Sequence, residues 1–204
     1  MNYLAHAILS FDDKNLLTGN LISDFVKGRQ ILNFSDEIVA GIKLHRAIDA
    51  YTDQHAVVKD TKKIFKESYG LYAGAFLDVA FDYFVANDAR FFKTDSDLKE
   101  FAADTYRSVE KNYPLLTDNI TSMLINMKKY DWLYNYKSIY GIEKSFSGLV
   151  YKTKYVDNAS AAVAIFHKHF NEIEQAYQAF MPDLYNHCKL FIATAINSEK
   201  VSVQ

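Results

Sequence analysis

Apolar residues recur at spacings of three and four along most of the chain, and sustained alternation of apolar and polar residues is hard to find. The first spacing lines one face of an α-helix, whereas alternation would indicate strands. The pattern predicts helices over 15–28, 36–53, 56–68, 71–89, 97–112, 117–129, 131–140, 159–178 and 180–196. Two prolines and seven glycines among 204 residues leave few interruptions. We therefore expect an all-α fold.

The expected helix ends follow from local signals. Ser35 and Asn158 are predicted N-caps, because a side-chain oxygen at that position can accept a hydrogen bond from the first turn. Breaks are predicted at Gly28, Gly70, the turn around Asp95, Pro114, Gly141 and the "SFSG" segment before Leu149. No repeat, low-complexity tract or long linker divides the sequence. We expect one helical-bundle domain over residues 1–204.

A polar stripe stands out in the segment "KLHRAIDAYTDQH". His45, Asp49 and Asp53 recur every fourth residue, so they share one face of the predicted helix. Such a stripe is either a solvated face or one wall of a functional site.

A second acidic pair lies in the segment "AGAFLDVAFDYFVAND", which is otherwise almost entirely apolar. Asp78 and Asp82 are four residues apart on a helix that should be buried on nearly all sides. Burying an ionised carboxylate costs several kcal/mol unless it is paired. This face therefore reaches water, pairs with Arg or Lys, or looks into an internal cation site.

Two further residues place polar chemistry in apolar surroundings, namely His6 in "NYLAHAIL" and Asp24 in "GNLISDFVKG". If these residues and both helical pairs converge, a divalent metal would be needed to offset the repulsion between the carboxylates. Oxygen ligands suit Mn²⁺ or Mg²⁺, and imidazoles favour Mn²⁺ or Fe²⁺.

Composition and motifs exclude several other classes. The formal net charge of −2 provides no global field to attract nucleic acid or an anionic membrane. The single cysteine, Cys188, excludes an internal disulfide or a cysteine metal cluster. The N-terminal segment reads as neither a signal peptide nor a membrane span, so we expect a cytoplasmic protein. A Glu-x-x-His motif and a Gly-rich phosphate loop are both absent from the sequence.

In four segments the chain resembles the bacterial acyl carrier protein phosphodiesterases. The segments are "MNYLAHA", "GNLISDFVKG", "AGIKLHRAIDAYTD" and "LDVAFDYF", in that order. The resemblance implies an enzyme that hydrolyses the phosphodiester between 4'-phosphopantetheine and a serine of holo acyl carrier protein. It also implies an all-helical, Mn²⁺-dependent relative of the HD-type phosphohydrolases. The chain has no adjacent His-Asp pair, so the metal ligands cannot be transferred from that superfamily.

The resemblance makes these polar residues signature positions of the family, and the chemistry of phosphodiester hydrolysis suggests a role for each. The candidate metal ligands are His6, Asp24, Asp49, Asp78 and Asp82. His45 is the candidate for orienting or protonating the substrate, and Asp53 for holding His45 or the water. Arg46 is the candidate cation for the phosphate, through bidentate hydrogen bonds.

The acidic carrier protein would dock on a basic surface. The predicted docking cations are Lys27 and Arg29, followed by Lys59, Lys62, Lys63, Lys66, Lys152 and Lys154.

Two alternative functions stay open. One is an HD-like phosphohydrolase of a nucleotide or small phosphodiester, which would need a closed pocket. The other is a non-catalytic helical binding protein, whose stability should not respond to Mn²⁺.

Overall fold

A computed structural model of the chain describes residues 1–152 and 159–201, with side chains described in 1–151 and 159–194. The described ranges are helical and contain no strand, which confirms the all-α prediction. None of their helices combines the length and apolar character needed to cross a membrane. The predicted cap Asn158 and the docking cation Lys154 lie outside the described residues, as does the Lys152 side chain.

The α-helices follow one another with short connections. They are α1 (Tyr3–Ile8), α2 (Lys14–Ile22), α3 (Asp36–Gln54), α4 (Ala56–Thr61), α5 (Lys63–Tyr69), α6 (Ala73–Ala86), α7 (Asp95–Glu110), α8 (Asp118–Lys129), α9 (Trp132–Asn135), α10 (Ile139–Lys152), α11 (Ala159–Lys168) and α12 (Phe170–Val201). Short 3₁₀ turns lie at Ser23–Phe25, Gly28–Asn33, Gly70–Tyr72 and Tyr113–Leu115.

The prediction was wrong at both ends of the region 1–28. Helix α1 was not predicted, because six residues are too few to show a clear period. The predicted helix 15–28 ends at Ile22 and continues as a 3₁₀ turn at Ser23–Phe25. This early end carries Asp24 off the helix and toward α3.

The prediction was also wrong in the C-terminal third. Helix α10 continues through Gly141 and Gly148, where breaks were expected. A side chain at Gly141 would place its Cβ 1.8 Å from the backbone oxygen of Asn135, so this glycine permits close packing and does not end a helix. Helices α11 and α12 meet at His169, and α12 continues without a break through residue 179, where the boundary between the two last predicted helices lay, and through Pro182.

Helix α6 lies at the centre of the main hydrophobic core. Its Phe76, Leu77 and Phe81 are fully buried and pack in the same cluster as residues of α1, α5, α10 and α12. The almost uniformly apolar sequence of this helix is explained by neighbours on most of its sides.

Helices α2 and α3 pack unusually closely at two glycines. A Cβ on Gly19 would lie 2.0 Å from the backbone oxygen of Ile38, and one on Gly41 would lie 2.3 Å from that of Leu16. Only glycine at both positions allows this separation of the helix backbones. The contact brings the backbone of Asn20 on α2 within hydrogen-bonding distance of His45 on α3.

Candidate metal centre and its pocket

Three potential metal ligands converge where α1 meets α3. His6 Nε2 lies 3.4 Å from Asp49 Oδ1, and His45 Nε2 lies 3.1 Å from Asp49 Oδ2. The two imidazole rings stack with their centroids 4.1 Å apart. One ligand atom from each of the three residues lies within 4.8 Å of the others, which is close enough for a shared ion.

Asn20 orients both imidazoles from behind. His6 Nδ1 lies 2.7 Å from the Asn20 side-chain oxygen, and His45 Nδ1 lies 2.7 Å from its backbone oxygen. The Asn20 amide nitrogen donates to the His6 carbonyl and to the Ser10 hydroxyl, which fixes the orientation of the amide. Because both Asn20 oxygens can only accept, each Nδ1 must carry its proton.

This arrangement leaves both Nε2 atoms directed at the Asp49 carboxylate. When a neutral imidazole carries its proton on Nδ1, its Nε2 presents a lone pair. A lone pair facing a carboxylate oxygen is repulsive unless a proton or a cation lies between them. A carbonyl acceptor behind a ligating histidine is the usual outer-shell arrangement in metal sites.

The pKa values reflect the same negative environment. Burial opposes charge on His45, but its hydrogen bonds to Asp24 and Asp49 outweigh burial and raise its pKa to about 9. Burial lowers the pKa of His6. For Asp49, burial is outweighed by its interactions with His45 and His6, so its pKa lies well below the usual range. The cluster therefore favours a positive charge between these groups.

Asp24 adds a second carboxylate from the solvent side. Its Oδ1 lies 3.2 Å from His45 Nε2, and two thirds of its side chain is exposed. The hydrogen bond from His45 lowers the pKa of this carboxyl. The residue reaches the cluster because α2 ends at Ile22 and the chain turns there.

The structure separates the two acids of α6. Asp82 is fully buried and accepts hydrogen bonds from the backbone N–H groups of Asn2, Leu4 and Ala5, at 3.2, 2.7 and 3.4 Å. Burial raises its pKa to about 7, against the opposing effect of those hydrogen bonds. Asp82 thus lies outside the pocket, bound to the first turn of α1. Asp78 lines the pocket, and its Oδ1 lies 2.8 Å from the Met1 nitrogen.

The predicted catalytic and docking residues are also divided. Asp53 lines the pocket, and its carboxylate pairs with Lys62 Nζ at 3.7 Å. Arg46 is exposed outside the pocket, and its guanidinium donates to the Val26 carbonyl at 3.4 Å. Lys27 and Arg29 are exposed beyond Asp24, also outside the pocket.

The cluster opens into a large pocket of about 1060 Å³. His6, Asn20, Asp24, His45 and Asp49 form one end of it. The rest of the pocket lies largely between α6 and α10, with an aromatic wall contributed by Tyr130, Trp132, Tyr136 and Tyr140. Lys62 and Lys144 also line it, so both charged and apolar surfaces face the same space.

Comparison with known proteins places these residues in a family. The sequence model described as "Acyl carrier protein phosphodiesterase" matches residues 1–184. The chain belongs to the acyl carrier protein phosphodiesterase family. The family is named for a hydrolytic enzyme. The matched residues include all of the cluster and of the pocket wall.

Several curated relatives of the same name are similar over nearly their whole length. The acyl carrier protein phosphodiesterase of Yersinia enterocolitica is 29% identical over 182 residues, which cover 89% of this chain and 94% of the relative. That of Escherichia coli is 29% identical over 186 residues, with the same coverage of both chains. That of Pectobacterium atrosepticum is 26% identical over 182 residues, again with 89% and 94% covered. No solved structure matched the chain.

Several residues that line the pocket of this phosphodiesterase were not predicted from the sequence. Asn20 was not singled out, although an amide between the apolar pairs of α2 could have indicated a buried polar contact. Lys62 was considered only for docking, and Lys144 was not considered. The tyrosines of the pocket wall carry no local signal, since their positions depend on how α8, α9 and α10 pack.

Proposed function

We propose that this protein is a divalent-metal-dependent phosphodiesterase acting on holo acyl carrier protein. It hydrolyses the phosphodiester between 4'-phosphopantetheine and the carrier serine and releases apo protein and free 4'-phosphopantetheine. The observation that carries the proposal is the pair of imidazole Nε2 atoms aimed at Asp49 inside a large pocket, in a chain of this family. The whole chain, 1–204, would act as one domain in the cytoplasm, with an HD-like ancestry.

The residues of the cluster fit a metal ion. His6, His45 and Asp49 would hold it, and Asp24 would complete the set from the solvent side. Two imidazoles with two carboxylates suit Mn²⁺ or Fe²⁺ better than Mg²⁺, which prefers an all-oxygen shell. Such an ion would supply a water that is nucleophilic at neutral pH and neutralise charge on the phosphoryl oxygens.

This set differs from the one expected from the sequence. His45 becomes a ligand, because its Nε2 is directed at Asp24 and Asp49. Asp82 is left out, since its oxygens are engaged by backbone N–H groups. Asp78 lines the pocket on the opposite helix and is the candidate for orienting the attacking water.

The pocket also provides cations for the substrate. Lys62 lines the space and is held by Asp53 at 3.7 Å, so its ammonium group can bind a phosphoryl oxygen. We assign this role to Lys62 in place of Arg46, whose guanidinium lies outside the pocket. In the reaction, the water oxygen bonds to phosphorus, the bond from phosphorus to the serine oxygen breaks, and a proton passes to that serine oxygen.

The test is intact-mass spectrometry of holo acyl carrier protein incubated with the protein and Mn²⁺. We expect loss of the phosphopantetheine mass with Mn²⁺, and no loss with a chelator or with Asp49→Ala. Asp60→Asn is the matched control, because Asp60 is an exposed acid paired with Lys63. If the holo mass survives while Mn²⁺ still raises the melting temperature, a small phosphodiester or nucleotide is the substrate instead. If Mn²⁺ has neither effect, the protein is a binding protein without this chemistry.

A further inference from the structure

We propose that the part of the pocket between α6 and α10 is the binding site for the pantetheine chain of the substrate. We call it the α6–α10 groove and define it by Gly74, Ala75, Tyr140, Lys144, Ser145 and Gly148. The inference rests on the proposed function and adds where the prosthetic group lies during cleavage. It also predicts which residues distinguish this substrate from other phosphodiesters.

The size of the pocket is the first reason. About 1060 Å³ is at the upper end of the range for small-molecule sites, and a phosphodiester alone would fill only a small part of it. The carrier protein is a folded domain, too large to enter such a space. Because the scissile phosphate must reach the cluster, the group that can follow it into the pocket is the pantetheine chain.

The direction of the groove is the second reason. Gly141, Lys144, Ser145 and Gly148 are at positions i, i+3, i+4 and i+7, so they lie on one face of α10. From Tyr140 to Leu149 this face extends for about 13 Å along the helix. On the facing helix α6, the lining residues are Gly74, Ala75, Asp78 and Val79, and Asp78 pairs with the Met1 nitrogen, whose charge also interacts with Asp49 and His6. The groove therefore leads along both helices toward the proposed metal ligands.

The glycines of the groove are the third reason. A Cβ at Gly148 would meet no other atom of the described residues within 4 Å, and one at Gly74 would meet only the Lys62 side chain, at 3.4 Å. The glycines at 19, 41 and 141 differ, because backbone of a neighbouring segment occupies the space of the missing side chain. Gly74 and Gly148 both line the pocket, and no backbone of another described segment occupies the space beside them.

Apart from Lys144, whose ammonium group lies over the Tyr140 ring, the surface chemistry of the groove matches an uncharged chain of amides. Pantetheine carries two amide groups, a hydroxyl and a branched dimethyl carbon between its phosphate and its thiol. Hydroxyls of Tyr140 and Ser145 can hydrogen-bond with amides, while Ala75 and Val79 offer apolar contact for the dimethyl group. The carboxylates of Asp24 and Asp49 belong to the cluster at one end of the pocket, so they face the phosphate end of the substrate.

The experiment fills the groove and compares three substrates. Gly148→Leu places a side chain in the open space from α10, and Ala75→Leu does so from α6. Ser147→Leu is the matched control, because Ser147 is an exposed neighbour on α10 outside the pocket. The substrates are holo acyl carrier protein, the methyl phosphodiester of 4'-phosphopantetheine and bis(p-nitrophenyl) phosphate. The second has the chain without the protein, and the third has neither.

The quantity compared is the ratio of kcat/KM for each chain-bearing substrate to kcat/KM for bis(p-nitrophenyl) phosphate. In Gly148→Leu and Ala75→Leu we expect this ratio to fall about tenfold or more. Ser147→Leu should leave this ratio within about twofold of the unmodified protein. If either groove variant fails to fold, by circular dichroism, the other still decides the question.

Three results would overturn the inference. A ratio that does not change in a folded groove variant would show that the chain binds elsewhere. A loss confined to the carrier protein would make the groove a protein-docking contact. An equal loss on all three substrates would indicate damage to the metal site. Failure of the proposed function is separate, because the unmodified protein would then cleave neither chain-bearing substrate.

Discussion

Helices α3 and α6 each carry a pair of polar residues four positions apart, and the structure uses the two pairs differently. On α3, His45 and Asp49 point their polar atoms at each other and at His6. On α6, Asp78 lines the same pocket, whereas Asp82 is fully buried against the start of α1. The spacing places both members of a pair on one face, but the neighbouring helix decides whether they are available to a ligand.

The difference lies in what each neighbour provides. Over Asp82, the first turn of α1 presents N–H groups that have no partner within their own helix, and the carboxylate satisfies them. Over His45 and Asp49, α1 presents the His6 ring, and α2 presents only acceptor oxygens of Asn20 to the Nδ1 atoms. Asp82 is therefore engaged by the protein itself, and the α3 pair retains capacity for a cation.

The largest expected effect is that of Asp49→Ala on metal-dependent activity. This change removes the carboxylate that both Nε2 atoms face, so Mn²⁺-dependent hydrolysis should fall by about a thousandfold or more. The fold should persist, because nearly half of the Asp49 side chain is exposed. Steady-state rates and the Mn²⁺-induced shift in melting temperature measure the two effects. A variant that still shows the full shift would remove Asp49 from the ligand set.

Asp82→Ala should lower the stability of the fold and leave Mn²⁺ binding intact, the reverse of what we expect for Asp49→Ala. It leaves three N–H groups at the start of α1 without their acceptor, two of them buried, at a cost of about 1 kcal/mol each, or about 3 kcal/mol in the free energy of unfolding. Urea denaturation in the presence of chelator gives this value. Asp78→Asn should cost less, because Asp78 is partly exposed. An unaltered unfolding midpoint in Asp82→Ala, with Mn²⁺ binding lost, would return Asp82 to the metal site.

The stability of the metal-free protein should depend on pH through His45. Its pKa is raised from 6.5 to about 9 in the fold, so its stabilising contribution is complete below pH 6.5 and is lost as pH rises through 9. The contribution is on the order of 3 kcal/mol. His6 does not contribute to the pH dependence of stability in this window. Its pKa is lowered, so its titration changes the stability only below pH 6.5.

Thermal or urea unfolding between pH 7.5 and 9 measures this dependence. Saturating Mn²⁺ should reverse its direction, since an ion replaces the proton on Nε2 and binds better as pH rises. His45→Gln should reduce the slope of the metal-free protein and leave the part that comes from the Met1 ammonium, whose pKa is raised because its pairing with Asp78 outweighs burial. The same slope in His45→Gln would assign the titration to another group.

The smallest expected effect is that of Asn20→Ala on metal affinity. The His6 ring would lose the acceptor for its Nδ1, whereas His45 would keep the backbone oxygen of residue 20. Mn²⁺ affinity should therefore fall by about tenfold, the lower end of the range for outer-shell changes. Isothermal titration calorimetry measures it, with Asn15→Ala, an exposed asparagine on the same helix, as the control. Unchanged affinity would mean that Asn20 does not orient the ligand.

Much of the fold could be predicted because long helices leave a clear period. Helices α3, α7 and α8 lie within two residues of their predicted limits, since each has one apolar face and a polar one. Helix α1 was missed because it is short and apolar on nearly all sides. Gly141 and Gly148 suggested breaks, because a sequence does not show whether a glycine ends a helix or permits a close approach.

The sequence by itself determined the helical class and the residue types suited to a metal. It also identified most of the residues that form the acidic end of the pocket. His6 and Asp24 could be named because a titratable side chain in an apolar segment needs a partner wherever it lies, and Asp49 because it shares one helix face with His45. Only the tertiary structure decided which partner each one has. Asp82 meets N–H groups, His45 meets Asn20 and two carboxylates, and Lys62 in place of Arg46 reaches the pocket. Apart from the contact of His45 with Asp49 on the same helix, these outcomes depend on contacts between different elements, about which residue spacing within one helix carries no information.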